Sequence, residues 1–211
     1  MMSFAPNASH SPVFLLLGFS RANISYTLLF FLFLAIYLTT ILGNVTLVLL
    51  ISWDSRLHSP MYYLLRGLSV IDMGLSTVTL PQLLAHLVSH YPTIPAARCL
   101  AQFFFFYAFG VTDTLVIAVM ALDRYVAICN PLLYKVTMSH QVCSMLTFAA
   151  YIMGLAGATA HTGCMLRLTF CSANIINHYL CDILPLLQLS CTSTYVNEVV
   201  VLIVVGTNIT V

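Results

Sequence analysis

Residues 120–129 read Met-Ala-Leu-Asp-Arg-Tyr-Val-Ala-Ile-Cys. A long run of apolar and aromatic residues precedes them, interrupted by Asp113 and a few small polar side chains. An acid and a base, Asp123 and Arg124, then stand side by side where that run is ending. Charge at the centre of a bilayer is expensive, whereas a long basic side chain near a helix end can reach water. The triplet Asp123-Arg124-Tyr125 therefore reads as the water-facing end of a membrane helix. Two roles are open at this point: an arginine that merely snorkels at the interface, or a charged switch.

Composition supports the membrane setting. Of 211 residues, 61% are hydrophobic and 6% charged, and the mean hydropathy is +0.99. A soluble domain carries about a quarter charged residues, so this chain cannot cover its own surface with them. A net charge of +1 offers no basic field for nucleic acid. The seven cysteines have neither CxxC nor zinc-ligand spacing. Cysteines facing outside can pair, and those facing the cytosol stay reduced.

Outward from the triplet, the sequence divides into apolar segments with short polar breaks. No charged residue occurs between Ala22 and Trp53, and about 20 residues of helix cross the hydrocarbon. A first span is expected at 26–52. Ser59 as N-cap and Pro60 in the first turn open a second, 60–88. Ser89 to Ala97, with Pro92 and Pro95, reads as a turn. The third span, 98–129, is stopped or kinked at Asn130-Pro131. A polar loop with Lys135 and His140 leads to the fourth, 142–163, where Gly154, Ala156, Gly157, Ala158 and Ala160 suit close helix contact. Residues 164–196 are too polar to span and hold Cys171, Cys181 and Cys191, as expected of a structured outer loop. A fifth apolar run, 197–211, reaches only about 22 Å at 1.5 Å per residue, so the chain is expected to stop inside its last span. The expected fold is an all-α transmembrane bundle forming one domain, 1–211.

Orientation follows weakly from basic residues. Arg56, Arg66, Arg124 and Lys135 lie toward one side, and Arg21, Arg98 and Arg167 toward the other. Glycosylation sequons at Asn7 and Asn23, with Asn7 the better acceptor, and the cysteine distribution place the N-terminus outside. No cleavable signal is evident.

Three groups of polar residues lie within the spans. Asp72 is twelve residues into the second span, about 18 Å from Pro60, and Asp113 is about 16 Å from the level of Arg124. The two acids thus sit at nearly equal depth, and Asn44 comes near the same level. Two carboxylates in a dry site need a cation or a shared proton: either a small ion site, with sodium as the ion, or two separately satisfied, protonated acids. Tyr107, Gly110, Val111 and Thr114 share one face by helical spacing and suit a small hydrophobic ligand, the alternative being helix packing. His161 reads as a packed residue. Cys99 at the outer end of the third span can reach the loop, and the four outer cysteines allow three pairings. No GxSxG, HExxH or P-loop motif is present, so no enzymatic activity is expected.

The segments Phe14-Leu15-Leu16-Leu17-Gly18-Phe19, Gly43-Asn44, Leu57-His58-Ser59-Pro60-Met61-Tyr62, Leu68-Ser69-Val70-Ile71-Asp72, Met120 to Cys129, and His161-Thr162 together resemble the olfactory receptors, rhodopsin-like G-protein-coupled receptors of seven helices. The resemblance covers essentially the whole chain and implies a rhodopsin-like bundle with about five of seven helices present. It implies that Arg124 meets the G protein in the active state and that Asp123 restrains it at rest. It implies a sodium site at Asp72 and Asp113, a Cys99–Cys181 disulfide and a second Cys171–Cys191 bridge. Tyr107, Gly110, Val111 and Thr114 fall where the third span faces odorants.

Leu122 departs from the tyrosine common in the motif, and Arg66-Gly67 replaces the usual serine-asparagine, placing a charge within the second span. Set against the seven helices of that family, the chain is expected to lack the sixth and seventh spans. The resemblance implies an odorant receptor at the plasma membrane, multi-pass with its N-terminus outside, that binds volatile hydrophobic ligands and signals through a stimulatory heterotrimeric G protein. The competing expectation is a non-signalling fragment, retained in the endoplasmic reticulum, that at most associates with full-length receptors. A small transporter or channel is disfavoured because no inverted repeat is present.

Overall fold

The computed structural model describes residues 13–16, 25–57, 59–89, 93–169, 175, 176, 178 and 180–210. In chain order, strand β1 (Val13–Leu16) precedes helix α1 (Tyr26–Trp53), and a 3-10 turn at Ser55–Leu57 leads to α2 (Pro60–Val88). Strand β2 (Thr93–Pro95) runs directly into α3 (Ala96–Cys129), followed by short α4 (Tyr134–Thr137) and α5 (His140–Met165). Strand β3 (Ile175–Ile176), α6 (Ile183–Gln188) and α7 (Tyr195–Thr210) complete the order. Helices α1, α2, α3 and α5 are long and apolar enough to cross a membrane, and α7 carries a shorter apolar segment, Tyr195–Val204.

Local chemistry explains the helix boundaries. Pro60 occupies the first turn of α2, where its missing N–H is no loss, after an extended Ser59. Ser139 caps α5 by accepting from the Val142 N–H, so that helix begins at His140, two residues before the expected 142. Helix α3 ends at Cys129, and the N–H of the capping Asn130 bonds the Val126 carbonyl immediately before Pro131.

α3 is the spine. It packs on α5 along one side and α2 along the other; α1 packs on α2, and α7 on α5. The side of α5 toward α3 shows why. Cys143, Thr147, Ala150, Gly154, Ala158, His161 and Met165 are buried at intervals of three and four residues, one stripe of a 3.6-residue helix. Ala156 and Ala160 lie off that stripe and are exposed, so the small residues of this span divide between two faces.

Three buried clusters follow α3 from end to end. The outer one joins Phe14, Ile94, Cys99, Phe103, Met165, Leu168, Ile176, Cys181, Ile183 and Leu186. A middle cluster holds Ile71, Leu115, Val116 and Ala150. The inner one holds Leu64, Val126, Met138 and Cys143.

A small sheet departs from the all-helical expectation. β1 pairs antiparallel with β2 and parallel with β3, in the order β2-β1-β3. It includes part of the stretch 89–97 that reads as a turn. Pro95 fits because it ends its strand, where a missing donor matters least. The alternating burial of Thr93, Ile94 and Pro95 turns Ile94 into the outer cluster. The short strands lack the length that makes period-two patterning legible.

Candidate functional site

The triplet at the inner end of α3 is split by the helix surface. Asp123 is 1% exposed, whereas Arg124 and Tyr125 face outward. A buried carboxylate requires a donor, and Tyr134 of α4 supplies one, donating its hydroxyl to Asp123 Oδ1 at 2.9 Å. Burial, with the Asp123 carboxylate as acceptor and neighbouring charge, pushes the Tyr134 phenol up to about 12. The Pro131 break and the α4 turn fold the chain back so that Tyr134, eleven residues on, reaches the acid. Tyr134 was not legible as a site residue, because no spacing rule carries across a proline-broken turn.

Half-way along the bundle, Asp72 and Asp113 are both half-buried, and the charge of Asp72 acts on Asp113. Asn44 of α1 lines the same shallow groove as Asp72, about 790 Å³ in volume, with Thr39, Thr40 and Thr46. The Asn44 amide donates to the Thr40 carbonyl at 3.0 Å, which leaves its side-chain oxygen as an acceptor. Two carboxylates, an amide oxygen and nearby hydroxyls are the hard oxygen donors that a sodium ion takes. Among the described residues no three His, Cys, Asp or Glu side chains group together as metal ligands.

Toward the outer end, Tyr107 is tied on two sides. Its ring lies 5.0 Å from that of His161 and 4.6 Å from that of Phe103. Its hydroxyl donates to Asp182 Oδ1 at 3.2 Å. Asp182 also caps α6, accepting from the Ile183 N–H at 2.7 Å. One turn further in, a β-carbon on Gly110 would meet nothing within 4 Å. Thr114 is exposed and donates to the Gly110 carbonyl at 3.0 Å, and Val111 packs against the middle cluster. The four expected wall residues therefore do not behave alike: Tyr107 and Val111 are engaged, while Gly110 and Thr114 face open space. His161 is 1% exposed and its Nε2 has no partner among the described residues. Sequence reading treats it as packing, and its tilted ring contact with Tyr107 is what brings it to this wall.

Cys99 and Cys181 form a disulfide between α3 and the outer loop, across 82 residues of sequence. It brings Asp182, the next residue, to α3, which makes the Tyr107–Asp182 contact intelligible. Cys191 is also disulfide-bonded; Cys171, its expected partner, lies outside the described residues, as does Asn7. Cys129, Cys143 and Cys164 are free.

Comparison with known proteins fits this arrangement. The sequence pattern described as olfactory receptor matches residues 33–211. The chain is 74% identical over 204 residues to olfactory receptor 1B1 of Homo sapiens, covering 95% of this chain and 64% of that one. Similarity to olfactory receptor 8B2 of Homo sapiens is 70% over 183 residues, or 87% and 58% of the two chains. With olfactory receptor 8B3 of Mus musculus it is 58% over 207 residues, or 98% and 65%. The chain thus spans about six-tenths of the length of the curated relatives it matches. Its apolar helices are those of a multi-pass membrane protein built on the rhodopsin-like bundle, and its relatives are receptors rather than enzymes. At this identity, with the family pattern running through α2, α3 and α5, the chain belongs to the olfactory receptor family.

Proposed function

We propose that the chain is an odorant receptor polypeptide whose α3 links an outer ligand wall to an inner face that engages a stimulatory heterotrimeric G protein at the plasma membrane. The observation that carries this reading is the division of the triplet: Asp123 buried on Tyr134, Arg124 exposed beside it. An arginine that only snorkels needs no buried acid next to it. Here the acid is held by another element, and the cation is left free to meet a partner.

On this reading a small volatile, mostly hydrophobic ligand sits against Tyr107, Gly110, Val111 and Thr114, under the loop that Cys181 fastens. The open face at Gly110 supports access, and the unpartnered His161 Nε2 supports one polar contact. Asp72, Asp113 and Asn44 hold a sodium ion, which neutralises the paired carboxylates and favours the resting packing of α1, α2 and α3. Asp123 with Tyr134 keeps that end of α3 at rest, and ligand shifts the population toward the state in which Arg124 is engaged.

The test is expression of the 211-residue chain in cells with a cyclic AMP reporter, surface labelling and an odorant panel. Surface expression and an evoked response that Arg124→Ala abolishes are expected. The competing reading, a non-signalling chain that at most associates with full-length receptors, predicts intracellular retention and silence to the whole panel; that result rejects the proposal.

A further inference from the structure

The charge that Arg66 brings into α2 lines a groove that the proposed signalling does not use. Arg66 is six residues into the helix, about 9 Å along it from Pro60, and half-buried. Its guanidinium carbon lies 5.4 Å from the centre of the Tyr63 ring. Tyr63 in turn donates weakly to Ser144 Oγ at 3.4 Å and meets the His140 ring edge-on at 6.4 Å. Arg66, Tyr63 and His140, with Ile51 and Leu57, line a cavity of about 260 Å³ between the inner ends of α1, α2 and α5.

Among the described residues, no carboxylate pairs with that cation. The sequence has six acids, and all six are among the described residues. Asp54 accepts from the Arg56 N–H. Asp123 is held by Tyr134, Asp182 by Tyr107 and Ile183, and Glu198 by Thr194. Asp72 and Asp113 lie deeper in their helices, twelve residues from Pro60 and eleven from Arg124. A half-desolvated guanidinium at interfacial depth has its best partner in a planar-fork acceptor, a carboxylate or a phosphate. The bilayer supplies phosphate at that depth, and a polybasic or single basic contact with an anionic headgroup is a general source of lipid preference. The remaining walls match the rest of a phospholipid: Tyr63 offers a polar edge beside the phosphate, and Ile51 and Leu57 offer apolar surface.

We infer that this groove is a phospholipid site in which Arg66 binds the phosphate of an anionic glycerophospholipid, with Tyr63 holding the guanidinium in place. The inference rests on membrane insertion alone and stands whether or not the chain signals. The occupant is a lipid rather than free phosphate because Ile51 and Leu57 give the cavity apolar walls at the helix ends.

The test is retention of lipid by the full chain in mixed micelles, read by native mass spectrometry, with phosphatidylglycerol against phosphatidylcholine. Wild-type chain is expected to prefer phosphatidylglycerol by about fivefold, the scale of one basic contact near a charged surface. Arg66→Gln should abolish the preference, Arg66→Lys should retain part of it, and Arg56→Gln, outside the groove, should leave it unchanged. Formation of the Cys99–Cys181 disulfide reports folding of each variant. Equal retention of the two lipids by wild type overturns the proposal without any variant, as does a preference that survives Arg66→Gln. Displacement of the lipid by equimolar soluble glycerophosphate overturns the lipid assignment.

Discussion

Gly154 sets how closely α3 and α5 approach, and Gly154→Ala tests whether that approach holds the bundle together. A β-carbon there would overlap the Thr112 hydroxyl and lie 2.7 Å from the Ala108 carbonyl oxygen and 3.3 Å from the Thr112 β-carbon. The carbonyl belongs to the α3 backbone and cannot rotate away. The hydroxyl is committed, donating to that same carbonyl at 2.7 Å. Overpacking of this kind costs about 1–3 kcal/mol, and displacing the hydroxyl forfeits a buried hydrogen bond of about 1 kcal/mol. The better helix propensity of alanine offsets about 1 kcal/mol. The net destabilisation is therefore roughly 1–3 kcal/mol, or about 2–12 °C in midpoint for a chain of this size. Buried, free Cys143 provides the assay, since a thiol-reactive dye labels it only as the inner cluster opens. Adding Thr112→Ala should recover part of the loss, because one obstacle goes and the carbonyl stays. Gly163→Ala is the control, with nothing within 4 Å of the new carbon. If Gly154→Ala melts with the Gly163→Ala chain, α3 and α5 are not held at this distance and the reasoning fails.

Other perturbations address the ends of α3 and the bundle centre. Tyr134 titrates near 12, raised above about 10 in the unfolded chain; its contribution is complete below pH 10 and lost as pH rises through 12. The phenolate absorbance missing from Tyr134→Phe should accordingly appear near pH 12, and a midpoint near 10 would remove the Asp123 contact. Cys99→Ser opens a link across 82 residues, worth about 4.5 kcal/mol by chain entropy; Cys181→Ser and the double variant should lose the same amount, and additive losses would speak against the pairing. If Asp72, Asp113 and Asn44 hold sodium, replacing choline by sodium chloride at ten times its dissociation constant should stabilise the chain by about 1.4 kcal/mol, and Asp72→Asn should erase the difference; an unchanged sodium response in the variant rejects the site. Tyr107→Phe should speed amide hydrogen exchange at Ile183, whose N–H shares Asp182 with the tyrosine, and unaltered exchange would show that the hydroxyl does not hold the loop.

What was legible in the sequence was what periodicity and charge can encode. Uncharged runs longer than a bilayer and the Ser59-Pro60 and Asn130-Pro131 punctuation placed α1, α2 and α3 within two residues of their observed ends. Equal depth along sequential helices is the signal that relates Asp72 to Asp113 in the sequence. The rest depended on contacts between segments that no local rule relates. Strand β1 finds its neighbours 80 and 160 residues away, and two- to four-residue strands carry too few alternations to announce themselves. Asp182 lies 75 residues from Tyr107, and it becomes a partner only because Cys181 is fixed to Cys99. Asp123 was visible as an acid in a motif, but its partner waited on the fold of the loop after Pro131.

The two tyrosine–carboxylate contacts change what the Asp123-Arg124-Tyr125 triplet means. At the outer end, a tyrosine on α3 donates to an aspartate of the loop; at the inner end, a tyrosine after α3 donates to an aspartate on the helix. Tyr107 and Asp123 are sixteen residues apart, about 24 Å along one uninterrupted helix. A rigid element of that length transmits displacement only if its fastenings can be made and unmade. Packing against α5 at Gly154 leaves little room for α3 to move sideways between them, so rotation or sliding of the whole helix is the motion these contacts permit. A ligand that competes with Asp182 for Tyr107 would act on the same rigid body whose other end Tyr134 restrains. On the proposed function, Asp123 with Tyr134 is one fastening of α3 and Tyr107 with Asp182 is the other.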